Sequence, residues 1–278
     1  MGPSHLNSVA TALQNAVIAR YMSAAGFVLL LYDHLLTLDD EVEYIWSAQN
    51  NVAKILFLLL RYMVLLFLAV QTIVGSGLSA ITMTDTTYAG WLSIVISNFL
   101  VLLRIWTMLP DGHPLISWSM VFFFVSQTVS FVVTTWVITN MIPVLVYNHF
   151  VGLCTFTEKP NIAGLWLVGL IFEVVVFITV CWNTLDRPRV PSPDMHVARM
   201  LFRDGVVYFV LLSALRISNV VIAVVAPVSS LFVIVFFIWS ATTLITTRLI
   251  INSRRTVANA LEPCSSPESV EDEHDDRV

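Results

Sequence analysis

Glu173, Arg216, Asp33 and Arg61 stand inside stretches of sequence that are otherwise apolar. Ionisable side chains at membrane depth are costly and are generally paired, so their partners are the first question. If one apolar stretch covers roughly 164–182 and the next roughly 205–226, Glu173 lies nine residues into the first and Arg216 ten from the end of the second. At ~1.5 Å per residue, both sit roughly 14–15 Å below one interface. Equal depth on consecutive antiparallel helices predicts a Glu173–Arg216 pair, with Asn219, one turn from Arg216, completing its hydrogen bonds. Asp33 and Arg61 form a second candidate pair, roughly 7–10 Å from the opposite interface. Lys54 shares a helical face with Arg61, so either cation could reach Asp33 or the acidic connection that follows it. Such pairs either fix helix registry or line a ligand or ion path. Gln71, Asn98, Gln127 and Asn140 read as interhelical hydrogen-bonding groups, worth ~0.6 kcal/mol each on average.

Other chemistry finds little support. The only lysines are Lys54 and Lys159, so no Schiff-base lysine stands in the last apolar stretch. The six histidines are scattered, with no HExxH and no helix-spaced ligand set. No catalytic residue, metal site or cofactor is therefore assigned, and the chain is not read as an enzyme. Cys154, Cys181 and Cys264 fit no zinc spacing and place at most one thiol on an oxidising side, which excludes an exofacial intramolecular disulfide. No Asn-x-Ser/Thr sequon occurs.

The elements that must hold these residues are set by composition. The chain has 278 residues, 57% hydrophobic and 12% charged, against about 25% charged in a typical soluble domain. That excludes a soluble enzyme, a nucleic-acid module and a secreted disulfide scaffold. Seven apolar stretches, roughly 17–38, 54–74, 91–109, 116–142, 164–182, 205–226 and 228–250, approach the ~20 residues a bilayer crossing needs. They are apolar all round rather than alternating, so the expected class is all-α, a polytopic seven-transmembrane helix bundle. Residues 1–16 form a short exofacial segment, 17–250 the membrane domain and 251–278 an acidic, disordered cytosolic tail. No cleavable signal is expected, because the first stretch is too long and its flank lacks a basic patch.

Nine Lys/Arg fall at one face of this layout and two, Arg20 and Lys159, at the other. The positive-inside rule then puts the amino terminus outside and the carboxyl terminus in the cytosol of a multi-pass protein, in the plasma membrane or an endomembrane. Besides the lipid bilayer, the expected partners are anionic lipid at Arg187, Arg189, Arg199 and Arg203, and a cytosolic protein at the tail. Ser265, Ser266 and Ser269, beside Pro267 and several carboxylates, suit kinases. Nucleic acid is not expected.

Two amphipathic pieces face the cytosol. In the first connection Leu38, Val42, Ile45 and Trp46 share one face, and Thr37 with Asp40 resembles a capping box. This reads as an interfacial helix with Asp39, Asp40, Glu41 and Glu43 mostly toward water; the alternative is a site for a cation or a basic partner. In the second, Pro188, Pro191 and Pro193 precede Asp194 and a basic amphipathic helix carrying His196, Arg199 and Arg203.

Tyr32, Asp33, Leu36–Glu41, Val42, Glu43, Trp46, Lys54, Phe57, Leu58, Arg61 and Tyr62 together resemble the signature of a basidiomycete membrane family, domain of unknown function 6533. The resemblance covers roughly residues 20–70 and implies a fungal origin and a seven-span layout, but no activity. It also directs attention to Asp33 and Arg61 together. Leu60 departs from the Asn expected before the Arg-Tyr pair. With span number, orientation, the basic third connection and the tail, the chain reads as a receptor- or sensor-like protein, with a small-solute or ion transporter or channel, or a non-transporting scaffold, as alternatives.

Overall fold

The structure, a computed structural model, describes residues 3–74, 80–106, 114–148, 153–156, 162–185, 194–226 and 234–261. Seven long helices dominate these residues: α1 (Pro3–Leu36), α3 (Val52–Val74), α4 (Ala80–Trp106), α5 (Pro114–Met141), α6 (Ala163–Leu185), α7 (Asp194–Val225) and α8 (Val235–Leu261). The short α2 (Leu38–Glu41), continued by a π-helical turn (Val42–Trp46), follows α1 at a 60° bend. Proline punctuates the boundaries. Pro3 and Pro114 occupy first helical positions, where the missing N–H costs nothing. Pro143 stops α5, because the proline ring disfavours helical backbone before it.

The helices close into a ring, α1 against α3, then α4, α5, α6, α7 and α8, with α8 returning onto α1. Within the ring α8 also touches α3 and α4, and α6 touches α4. At Gly26 the approach of α1 to α8 leaves no room for a side chain: a methyl there would lie 2.8 Å from Ser240 Oγ. Small residues permit such close backbone contact where lipid gives helices no hydrophobic reason to associate.

Polarity is distributed for an apolar solvent. Large apolar side chains such as Leu66, Val121, Phe124, Ile178 and Val224 are exposed outward, while Ser93, Ser97, Thr134, Thr243, Thr246 and Thr247 are buried within. Tyr32, Trp46, Trp118 and Trp182 are exposed near the helix ends on the side of α2, where amphipathic rings suit a headgroup layer. Among the described residues, five helices are long and apolar enough to cross a membrane, six if α1 with its bent continuation is one span; Ala163–Thr179 of α6 is apolar but shorter. The protein is thus a helical, multi-pass membrane protein.

Several expected boundaries move. Helix α1 runs back to Pro3, through the segment placed before the first span. Helix α7 is continuous from Asp194, so the basic segment and the span after it are one helix. The tail does not begin as a disordered chain: α8 continues to Leu261, with Ile251 buried and no helix breaker before Pro263. The candidate fourth span runs Pro114–Val144, closing in a 3₁₀ turn at Ile142–Val144. The rest of the apolar run after Pro143 leaves the span as β1 (Leu145–Asn148), antiparallel to β2 (Leu153–Phe156) in the register Leu145↔Phe156.

Candidate functional site

Two polar constellations lie inside the ring, one midway along α6 and α7 and one at the α2 end. In the first, Arg216 Nε of α7 lies 2.6 Å from Glu173 Oε1 of α6, and Arg216 Nη2 donates to Asn98 Oδ1 of α4 at 3.1 Å. The arginine is 3% exposed, so this charge is balanced within the protein rather than by water. Gly169, one turn before Glu173, makes the contact sterically feasible, since a methyl there would overlap Arg216 Nη1. Asn219 does not complete the arginine's hydrogen bonds. Asn98 does, and Asn219 Oδ1 is buried without a partner among the described residues. Arg216 Nη1 and Glu173 Oε2 are likewise unpartnered there.

Arg216 and Asn219 line a cavity that extends toward the ring end where α3 finishes and α4 begins. Its wall carries Gln71 of α3, Thr87 and Gly90 of α4, Met141 of α5, Ile162 before α6 and Val235 of α8, residues from the same end of each element. About 110 Å³ of it is open to the centre of a water molecule. Three indoles border it, from Trp91, Trp166 and Trp239. Trp239 Nε1 donates to Ser93 Oγ at 2.8 Å, whereas the buried Nε1 atoms of Trp91 and Trp166 have no partner among the described residues. Many hydroxyls on the wall spend their hydrogens on their own helices: Thr134 on Ser130 O, Thr242 on Ile238 O and Thr243 on Trp239 O.

The second constellation closes the opposite end. Asp33 and Arg61, expected to pair, take different partners: Arg248 Nε of α8 lies 2.5 Å from Asp33 Oδ1, and Arg61 Nε lies 2.9 Å from Glu41 Oε2. The reason is azimuthal, because α8 packs against both α1 and α3 and brings Arg248 to Asp33. Arg61 spends its Nε hydrogen on His34 Nδ1 (2.8 Å), while Nη2 donates to His34 O and Thr37 Oγ1. An accepting Nδ1 means a neutral imidazole with its proton on Nε2. Glu41 is 0% exposed, in contrast to the expected water-facing acidic run. Its Oε1 accepts from Trp46 Nε1 (3.1 Å) and Tyr62 OH (3.2 Å). The π-helical turn brings Trp46 back over Glu41 for this contact. The expected capping box is absent, because Thr37 Oγ1 donates backward to Asp33 O instead of capping α2. Lys54 caps the carbonyls of Trp46 and Ala48, at 2.8 Å each. Leu60 is buried in one apolar cluster with Leu30, Val64 and Ile96, and the hydrogen bonds of Arg61 run to His34 of α1 and to Thr37 just after it.

Of the other polar residues singled out from sequence, Gln71 bonds Thr86 across α3 and α4, while Asn140 Nδ2 donates to Trp136 O within its own helix. Gln127 Oε1 has no partner among the described residues. Among the described residues no group of His, Cys, Asp and Glu could hold a metal ion. Arg187, Arg189, Ser265, Ser266 and Ser269 lie outside the described residues, as do the side chains of His196, Arg199 and Arg203.

Residues 21–66 match the family described as family of unknown function (DUF6533). No curated protein and no solved structure matches the chain. The matched segment contains Asp33, His34, Thr37, Glu41, Trp46, Lys54, Arg61 and Tyr62, so it coincides with the closed-end network except for Arg248.

Proposed function

We propose that the chain is a seven-span membrane protein, amino terminus outside and carboxyl terminus cytosolic, that works as a receptor-like sensor of a small molecule. The observation that carries this reading is the asymmetry of the ring. A cavity descends from one end to Arg216 and Asn219, while the Asp33–Arg248 and Glu41–Arg61 contacts close the other. With α6 counted as a span beside the six candidates, the cavity end faces outward and the ion network lies at the cytosolic face, beside the basic connection and the tail. Helix α8 links the two, since it gives Trp239 and Thr243 to the cavity and Arg248 to the network. A ligand shifts an equilibrium only by its differential affinity for two states, and α8 is the element both sites can bias.

The test needs no ligand. Gly90 lines the cavity and a Cβ there would meet nothing within 4 Å, so the ring of Gly90→Phe is expected to enter the space as an occupant would. In a chain whose native cysteines are replaced by Ser, an environment-sensitive fluorophore on Val257→Cys, in the exposed continuation of α8, reports the cytosolic end. The sensor reading predicts a shifted emission in the Gly90→Phe background. Identical spectra from two folded proteins would count against it.

A transporter is the second reading, favoured by one observation: the closed end carries two ion pairs, Asp33–Arg248 and Glu41–Arg61, beside its apolar cluster of Ile45, Phe57 and Ile251. That reading requires the cavity to open to each side in turn.

A further inference from the structure

We infer that the cavity takes a small, neutral, largely apolar molecule of single-ring size carrying a hydrogen-bond-accepting oxygen, an aldehyde, ketone or alcohol. This inference rests on the sensor reading above and names what that site would recognise. Size comes first. The volume of about 110 Å³ open to water centres is of the same order as the ~150 Å³ apolar cavity that holds one benzene, so a single ring sets the size.

Polarity comes second. Buried polar groups without partners are uncommon in native structures, and each calls for an explanation. On the residues that line this cavity the unpartnered groups are mostly donors, namely the indole N–H groups of Trp91 and Trp166 and Arg216 Nη1, which are buried just behind the wall and meet an occupant once their side chains turn toward it. The wall hydroxyls of Thr134, Thr242 and Thr243, by contrast, have spent their hydrogens on backbone carbonyls, so toward an occupant they can only accept. Asn219 Oδ1, 4% exposed with its residue, adds one acceptor. An oxygen that receives from an indole N–H satisfies the donors, and a hydroxyl can also give its hydrogen to the wall.

Charge comes third. The guanidinium of Arg216 is already balanced by Glu173, so an anion would enter a site with no net charge to meet it. A cation would meet the donors and the arginine. The remaining wall is hydrocarbon and aromatic, including Leu165, Phe236, Met141 and the indole faces, and suits a ring.

The experiment holds the ring constant and changes the oxygen. The purified full chain in lipid nanodiscs is titrated with benzaldehyde, benzyl alcohol, toluene, benzoate and benzylammonium, and thermal stability is followed, since an occupant that binds only the folded state raises it. Benzaldehyde and benzyl alcohol are expected to stabilise the protein at lower concentration than toluene, with benzoate and benzylammonium inactive. In Trp91→Phe/Trp166→Phe the advantage of benzaldehyde over toluene falls roughly three- to tenfold per hydrogen bond lost, while a retained response to toluene shows an intact cavity. Equal potency of toluene and benzaldehyde, or an unchanged preference in the double variant, overturns the inference, as does a preference for benzoate or benzylammonium. If the ligand series fails while Gly90→Phe still shifts the fluorophore at position 257, the ligand class is wrong and the sensor reading stands. If both fail, the reading itself falls.

Discussion

Arg216→Leu is expected to destabilise the folded protein by about 3–5 kcal/mol, the usual cost of leaving one half of a buried ion pair behind. The stranded group is Glu173, whose side chain is 10% exposed and whose second oxygen already lacks a partner among the described residues. Asn98 would lose its hydrogen bond from α7 in the same step. Glu173→Leu should cost a comparable amount by stranding the arginine. The double variant Arg216→Leu/Glu173→Leu should recover most of the loss, because replacing both partners by apolar residues is often neutral or better. Unfolding in mixed micelles, run as a double-mutant cycle, measures this directly. Simple additivity of the two single losses would mean that the residues do not act as a pair.

The other large effect is expected at Glu41. Its substitution by Ala leaves the Arg61 charge uncompensated and removes the acceptor of both Trp46 Nε1 and Tyr62 OH. A loss of about 3–5 kcal/mol follows from the same argument about an unpaired buried charge. Asp39→Ala, on the same acidic turn, should change stability by less than about 0.5 kcal/mol, as exposed positions commonly do. The contrast separates a buried keystone from general acidity of the loop. Equal losses at positions 39 and 41 would contradict the network. By comparison Asp33→Asn should cost less, since Arg248 is 39% exposed and keeps access to water.

The two constellations were not equally legible in the sequence. Glu173 and Arg216 could be matched because depth along consecutive antiparallel helices follows from residue counting alone. Asn98 could be named as an interhelical group but not assigned to Arg216, since counting gives depth and not azimuth. That same limit explains why Asp33 was matched to Arg61: both lie near one interface, but which face of α1 meets which helix depends on how α8 returns to close the ring. Glu41 was hidden by its neighbours, because four carboxylates in five residues look like a solvated turn. Its partners come from two places that residue counting does not bring together, Trp46 from the π-helical turn and Arg61 and Tyr62 from α3. Bundle class and several intramembrane polar residues were readable from composition and hydropathy. The hairpin at Leu145–Phe156 was not, since a short apolar run after a proline resembles the end of a span.

The physical content of the DUF6533 match follows from these contacts. Its residues tie α1, the bent α2 and α3 into a unit whose charges are satisfied internally, through His34, Thr37, Glu41, Arg61 and Tyr62. Two carboxylates of the segment reach outside it, Asp33 to Arg248 at 2.5 Å and Asp40 to the exposed Arg255 at 3.9 Å. The segment therefore behaves as a structural clasp at the closed end of the ring, while the cavity is built mostly from helices beyond it.

The central claim, a cavity that reaches Arg216 from one side only, is tested most directly by two-sided thiol labelling. With Cys154, Cys181 and Cys264 replaced by Ser, single cysteines are placed at Asn219, which lines the cavity, and at Ile217, which faces outward at similar depth. Asn219 suits the purpose because its side-chain oxygen has no partner to lose among the described residues. Right-side-out and inside-out vesicles are treated with a membrane-impermeant reagent. The account predicts modification of Asn219→Cys from the amino-terminal face alone, with Ile217→Cys unreactive from both. Labelling of Asn219→Cys from both faces would transfer the case to a transporter. No labelling from either face of a folded protein would mean a dry structural pair, and would contradict the account.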